Sequence, residues 1–243
     1  MIVTNNAVFL HIPKTGGTWV TEVLSYYRPD FREHSLDVPI SHKDKSVFVF
    51  VRNPWAWHVS FYNYMKSIPH VNTISPGTSP HILSLIWKHI FHSNASFEEF
   101  IYKFYSPPTI EFKKKMNSLK RLRAIYLQIE HKDTKHLDIE KKIDIMGGLS
   151  PFKRSSTGIY QSFIDEYTAL ATQVGKTESI RADLKSMLAS VDELTSDIEK
   201  KIDILAPANA GDPADYRKYY TAETQQLVAK SAESMIKRFN YDF

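Results

Sequence analysis

An α/β fold with a central, mostly parallel sheet flanked by helices is what this sequence predicts, and three observations predict it. The apolar run "AVFLHI" at residues 7–12 gives way to a lysine, two glycines and then a helical pattern. The same grammar returns at residues 46–66, where "SVFVFV" runs into "RNPWAWHVSFYNYM". Downstream the apolar spacing turns helical, which makes the second half of the chain helix-rich. Two strand-to-helix units so close together direct a ligand to the C-terminal ends of the strands.

Taken in order, residues 7–12 read as a buried strand, and the helix after the glycines carries Val20, Val23, Leu24 and Tyr27 at i, i+3, i+4, i+7 spacing. Ser46 to Val51 is a run of β-branched and aromatic residues suited to a central parallel strand. Asn53 and Pro54 then open a helix, with Asn as N-cap and Pro at the first helical position. The stretches "RPDFREHSLDVPISHKDK" and "KSIPHVNTISPGTSPHI" read as loops. Phe112, Met116, Leu119, Arg123, Tyr126 and Ile129 suggest one helix, and segments near 163–174, 177–190 and 194–204 suggest others. At the C-terminal end Val228, Ala232, Met235 and Phe239 share a face, with Glu223 in the first turn and Lys237 and Arg238 in the last, as the helix dipole favours.

The chain has 243 residues, 42% of them hydrophobic, which is enough to bury one substantial core. Since no Pro/Gly/Ser-rich linker divides it, a single domain over residues 1–243 is expected. No segment has the pattern of a signal peptide or the apolar length of a membrane span, so the expectation is a soluble, cytoplasmic protein. With no cysteine, disulfides and cysteine-based metal sites or nucleophiles are excluded. A net charge of +4 favours anionic partners without naming one.

The lysine-glycine turn is where the charge becomes specific. A turn from strand to helix exposes backbone N–H groups at the positive end of the helix, and Gly16 and Gly17 let the backbone approach an anion. Lys14 adds a point charge, and Thr15 and Thr18 add hydroxyl donors. In a nucleoside triphosphatase loop the lysine follows the glycines; here it precedes them. The second strand ends on Arg52, where such an enzyme commonly places an aspartate for Mg²⁺. A guanidinium there invites a second anion in bidentate contact. Ser60, eight residues on, adds a hydroxyl. Together these residues describe a ligand with two separated phosphate-type ends, bound without metal.

"PKTGGTW" and "RNPWAWHVSFY" resemble the two nucleotide motifs of the sulfotransferases that use 3′-phosphoadenosine 5′-phosphosulfate (PAPS), closer to the bacterial and carbohydrate-type members. The tail from Asp215 to Phe243 is similar to the C-terminal segment of those members, while residues 67–205 match only loosely. The resemblance implies a three-layer, P-loop-like fold. It also implies that Lys14, Thr15, Gly16, Gly17 and Thr18 hold the 5′-phosphosulfate, that Trp19 lies near the adenine, and that Arg52 and Ser60 clamp the 3′-phosphate. The glycine-rich "RKG" element of cytosolic-type members is absent.

On this reading Lys14 attends the leaving group, and a base is needed for the acceptor hydroxyl. In "FREHSLDVPISH" His34 is the first candidate, because its ordinary pKa lies near neutrality, and Glu33 is the alternative. The expected acceptor is a hydroxyl or amine of a carbohydrate or small molecule, with 3′-phosphoadenosine 5′-phosphate (PAP) as product and no nucleic acid partner. The histidines of "WKHIFH" and the basic run "KKKMNSLKRLR" read as faces of amphipathic helices, so no metal site is assigned. Two alternatives stay open: a nucleotide kinase or P-loop triphosphatase, and a non-catalytic nucleotide- or nucleic-acid-binding module.

Overall fold

A computed structural model describes residues 1–27, 38, 42–67, 95–105, 159–206 and 213–243. Its centre is a four-stranded sheet in the order β1 (Ile2–Val3), β2 (Ala7–Phe9), β3 (Ser46–Val51), β4 (Gln173–Lys176). Strand β1 is antiparallel to β2, whereas β2, β3 and β4 run parallel, with Phe9 opposite Phe48 and Val51 opposite Lys176.

The all-apolar character of β3 is explained by burial on both faces. Val47, Val49 and Val51 point to one side with Val8 and Leu10. Phe48 and Phe50 point to the other with Ala7 and Phe9. On the valine side lie α2 (Pro54–Ser67), α3 (Phe97–Tyr105), α4 (Ile159–Leu170), α7 (Ala222–Ser231) and α8 (Glu233–Phe239). Opposite them lie α1 (Gly17–Val23), α5 (Ile180–Ala189) and α6 (Ser196–Ile204). Helices thus cover both faces of an α/β sheet.

Several sequence expectations are met closely. Strand β3 falls on Ser46–Val51, paired on both edges. Asn53 caps α2, its Oδ1 accepting from the N–H groups of Trp55 at 3.0 Å and Ala56 at 3.3 Å. Others are corrected. The first strand is shorter than residues 7–12: after Phe9 only the Leu10 N–H continues to a β3 partner, the Phe48 carbonyl, before the chain turns away. The helical reading of 163–174 overran its end, because α4 stops at Leu170 and Gln173–Lys176 is a strand. "QVGK" carries no two-residue alternation, and its strand geometry comes from pairing with β3; Gly175 is there because a Cβ would meet the Phe50 ring at 2.6 Å. The C-terminal helix is two helices meeting at Ala232, with Val228, Ala232 and Met235 buried as expected. The helix expected across 112–129, "WKHIFH" and "KKKMNSLKRLR" lie outside the described residues.

Candidate functional site

Between β2 and α1 the chain makes a tight loop fixed from below. Trp57 Nε1 donates to the Pro13 carbonyl at 2.8 Å, and Thr15 Oγ1 donates to the Ile12 carbonyl at 2.8 Å. Lys14 and Gly16 both take left-handed backbone conformations, with φ of 66° and 84°. Such a φ is costly for a lysine, about 1 kcal/mol or more, and needs surrounding structure to hold it. Gly17, first residue of α1, lies against His11 so closely that a Cβ would stand 1.8 Å from the His11 ring. This explains the paired glycines: one supplies the turn, the other the close approach. Residues Gly17 and Thr18 in the first turn of α1 present N–H groups that the helix itself leaves without partners.

Arg52 follows directly on β3, whose C-terminal end lies beside that of β2 because the two strands pair in parallel. Its Nη1 donates to the Lys14 carbonyl at 3.3 Å. Burial, and then the nearby Arg52 charge, hold the Lys14 pKa below the ordinary lysine value. The two cations are therefore near enough to disfavour each other's charge, a cost that negative charge bound beside either of them offsets. Helix α2 supplies a third wall. Trp57 touches Pro13, and seven residues on, Lys14 Nζ sits 4.2 Å above the centre of the Tyr64 ring. Ser60 lies between them at helical spacing, which puts it on the same side of α2, toward the loop.

The end of β4 completes the surround. Thr177 Oγ1 lies 3.0 Å from the Thr15 carbonyl and 2.9 Å from the Val51 carbonyl, a single hydroxyl shared between the two loops. Glu178 Oε1 accepts from the Asn53 N–H at 2.8 Å, and Glu178 Oε2 accepts from the Tyr241 hydroxyl at 3.2 Å. Lys176 Nζ lies 5.0 Å above the Tyr241 ring. Burial, and after it the neighbouring Glu178 charge, push the Tyr241 pKa far up, so the phenol keeps its proton.

The structure thus brings Lys14, Gly16, Gly17, Thr18, Arg52 and Ser60 to one corner of the sheet. Thr15 is present but fully buried with its hydroxyl turned to Ile12, so it supports the loop from inside. Trp19 points away from that corner's surface. It is 3% exposed, packs among Val20, Leu188 and Ile202, donates from Nε1 to the Leu205 carbonyl at 3.2 Å, and carries the Arg181 guanidinium 5.4 Å above its ring. In this arrangement it is a core residue. Glu33 and His34 lie outside the described residues. Sequence reasoning missed Tyr64, Lys176, Thr177, Glu178 and Tyr241. Only Tyr64 left a signal, its position four residues after Ser60; the other four reach the corner through the pairing of β4 and the return of the C-terminal segment. Among the described residues no group of three His, Asp or Glu side chains converges as a metal site would require, and no helix is long and apolar enough to cross a membrane.

No protein-family model, no curated protein and no solved structure matches this chain.

Proposed function

We propose that the protein is a sulfotransferase that moves a sulfuryl group from PAPS to a hydroxyl or amine of a carbohydrate or small-molecule acceptor, on a P-loop-like sheet. The observation that carries this reading is the placement of Lys14, in the loop that follows β2, beside Arg52, which directly follows the parallel strand β3, the two joined through the Lys14 carbonyl. A ligand with anionic groups at two ends suits that pair better than a nucleotide with one phosphate chain. Lys14, Thr18 and the backbone of Gly16 and Gly17 take the 5′-phosphosulfate, and Arg52 with Ser60 takes the 3′-phosphate. In the transfer, an acceptor oxygen attacks sulfur in line while the bond from sulfur to the 5′-phosphate oxygen breaks. The electron pair goes to that phosphate oxygen, whose growing charge Lys14 stabilises. The acceptor proton passes to a base, for which His34 and then Glu33 are the candidates.

A kinase or triphosphatase would place a carboxylate where Arg52 stands, to hold magnesium. Calorimetric titration with PAP in the absence of Mg²⁺ tests the proposal. Saturable one-site binding, weakened in both Lys14→Ala and Arg52→Ala, supports it. Absence of PAP binding, or binding of ATP that depends on Mg²⁺, overturns it.

A further inference from the structure

Arg52 is bracketed. The residue before it, Val51, presents its carbonyl to the Thr177 hydroxyl at 2.9 Å, and the residue after it, Asn53, gives its N–H to the Glu178 carboxylate at 2.8 Å. Two consecutive residues at the end of β4 therefore hold the backbone on both sides of the arginine. The same Thr177 hydroxyl reaches the Thr15 carbonyl at 3.0 Å, one residue beyond Lys14. One short turn thus fastens to both cation-bearing loops at once.

That turn is itself fixed. Asp183 Oδ2, in the first turn of α5, accepts from the Lys176 N–H at 2.7 Å and from the Ser179 hydroxyl at 2.8 Å, closing residues 176–179 on themselves. On its outer side Glu178 is held by Tyr241 at 3.2 Å. Tyr241 is placed by the left-handed Asn240, φ 50°, and by its N–H to the Ile236 carbonyl at 3.0 Å. The next residue, Asp242, accepts at its carbonyl from Asn53 Nδ2 at 2.7 Å, and Phe243 lies edge-on to Trp55 with ring centres 5.5 Å apart. A chain of contacts therefore runs from the C-terminal segment through Glu178 to the turn that carries Arg52.

We propose that Thr177 and Glu178 form a strut that sets the spacing of Arg52 and Lys14, with Tyr241 as its outer brace. All three are positioning residues for the anion site and do not themselves touch the ligand. The proposal rests on the reading of Lys14 and Arg52 as the two anion contacts. Each loop has local holds of its own, Trp57 on Pro13 and the Asn53 cap, but neither of these links one loop to the other, and the like charges of Lys14 and Arg52 repel. A shared hydroxyl, a carboxylate on an amide and a closed turn supply the restraint that the two cations oppose.

Two measurements on the full chain test this, and they separate its failure from that of the functional reading. In the first, without ligand, amide hydrogen exchange is followed by mass spectrometry in peptides covering residues 12–18 and 51–56. Thr177→Val, which keeps the shape and removes the hydroxyl, is expected to exchange faster in both peptides, and Thr177→Ser to restore protection. Tyr241→Phe is expected to raise exchange in the second peptide. Unchanged protection in Thr177→Val overturns the strut whatever the ligand is. In the second, PAP affinity is measured by calorimetry. Thr177→Val is expected to bind about five- to tenfold more weakly, with Thr177→Ser close to the parent. Combined with Arg52→Ala, the Thr177→Val loss should shrink to under about twofold, since the group being positioned is gone. Fully additive losses overturn the positioning role and leave Thr177 as a plain stability residue. If the parent protein binds no PAP, the functional reading falls, while the exchange result still decides the strut.

Discussion

The Arg52 guanidinium reaches the carbonyl oxygen of Lys14 at 3.3 Å, so that two side chains of like charge are held at one corner of the sheet. Burial and Arg52 together depress the Lys14 pKa. Lys14 therefore loses its proton at a lower pH than an ordinary lysine, and the anion site loses charge as pH rises. PAP affinity is expected to decline on the alkaline side before the ordinary lysine value is reached, with proton uptake on binding visible in buffers of different ionisation enthalpy. Lys14→Arg should carry binding to higher pH, because guanidinium does not titrate there. A flat affinity across that range in the parent would contradict the assignment.

The two glycines fail differently when replaced. Gly16→Ala places a side chain at φ 84°, at a cost of about 1–2 kcal/mol from backbone strain, and crowds the movable tip of Ile180 at 2.5 Å. Gly17→Ala drives a methyl into the His11 ring at 1.8 Å, a contact that only displacement of the ring relieves. Its expected cost is about 1–3 kcal/mol, a loss of several degrees in melting temperature. Thermal melts of both variants check this, and a Gly17→Ala protein as stable as the parent would mean that the loop packs in another way.

Trp19 is expected to act on stability and not on binding. Trp19→Phe removes the indole N–H from the Leu205 carbonyl and part of the surface under Arg181. A loss of about 1–2 kcal/mol in denaturant unfolding is expected, with PAP affinity within about twofold of the parent. An affinity loss much beyond that, at little change in stability, would return Trp19 to the ligand.

His58 gives the fold a pH dependence of its own. It is fully buried, between the Pro54 carbonyl at 2.6 Å and the Tyr105 hydroxyl at 2.8 Å, and burial lowers its pKa to about 4 against a partial offset from Pro54. The unfolded chain takes up this proton near pH 6.5, while the folded protein resists until about pH 4. Stability tied to His58 is therefore complete above pH 6.5 and falls as pH drops through that window, by about 3 kcal/mol in all. Chemical denaturation at pH 7 and pH 5 should show the fall, and His58→Gln should flatten it. An equal slope in the variant would assign the effect to other groups.

The reach of the sequence varied with how local the cause was. Strand β3 and the start of α2 were legible because their causes lie within the segment: an apolar run buried on both faces, and an Asn-Pro pair whose side chain caps its own helix. Strand β4 was not, because "QVGK" has no pattern of its own and is extended only by pairing with β3. The break at Ala232 was hidden for the opposite reason, since the buried face continues through it without a change of period.

By itself the sequence determined the α/β class, the two strand-to-helix turns and the charges they carry, because glycines, a capping asparagine and apolar periodicity act over a few residues. Tertiary structure decided the rest. It turned Thr15 and Trp19 inward, set Tyr64 under Lys14, and brought Thr177, Glu178 and Tyr241 from more than a hundred residues away to bracket Arg52. The direction of a side chain depends on what packs beneath it, and a contact between distant segments depends on sheet order, neither of which a local pattern contains.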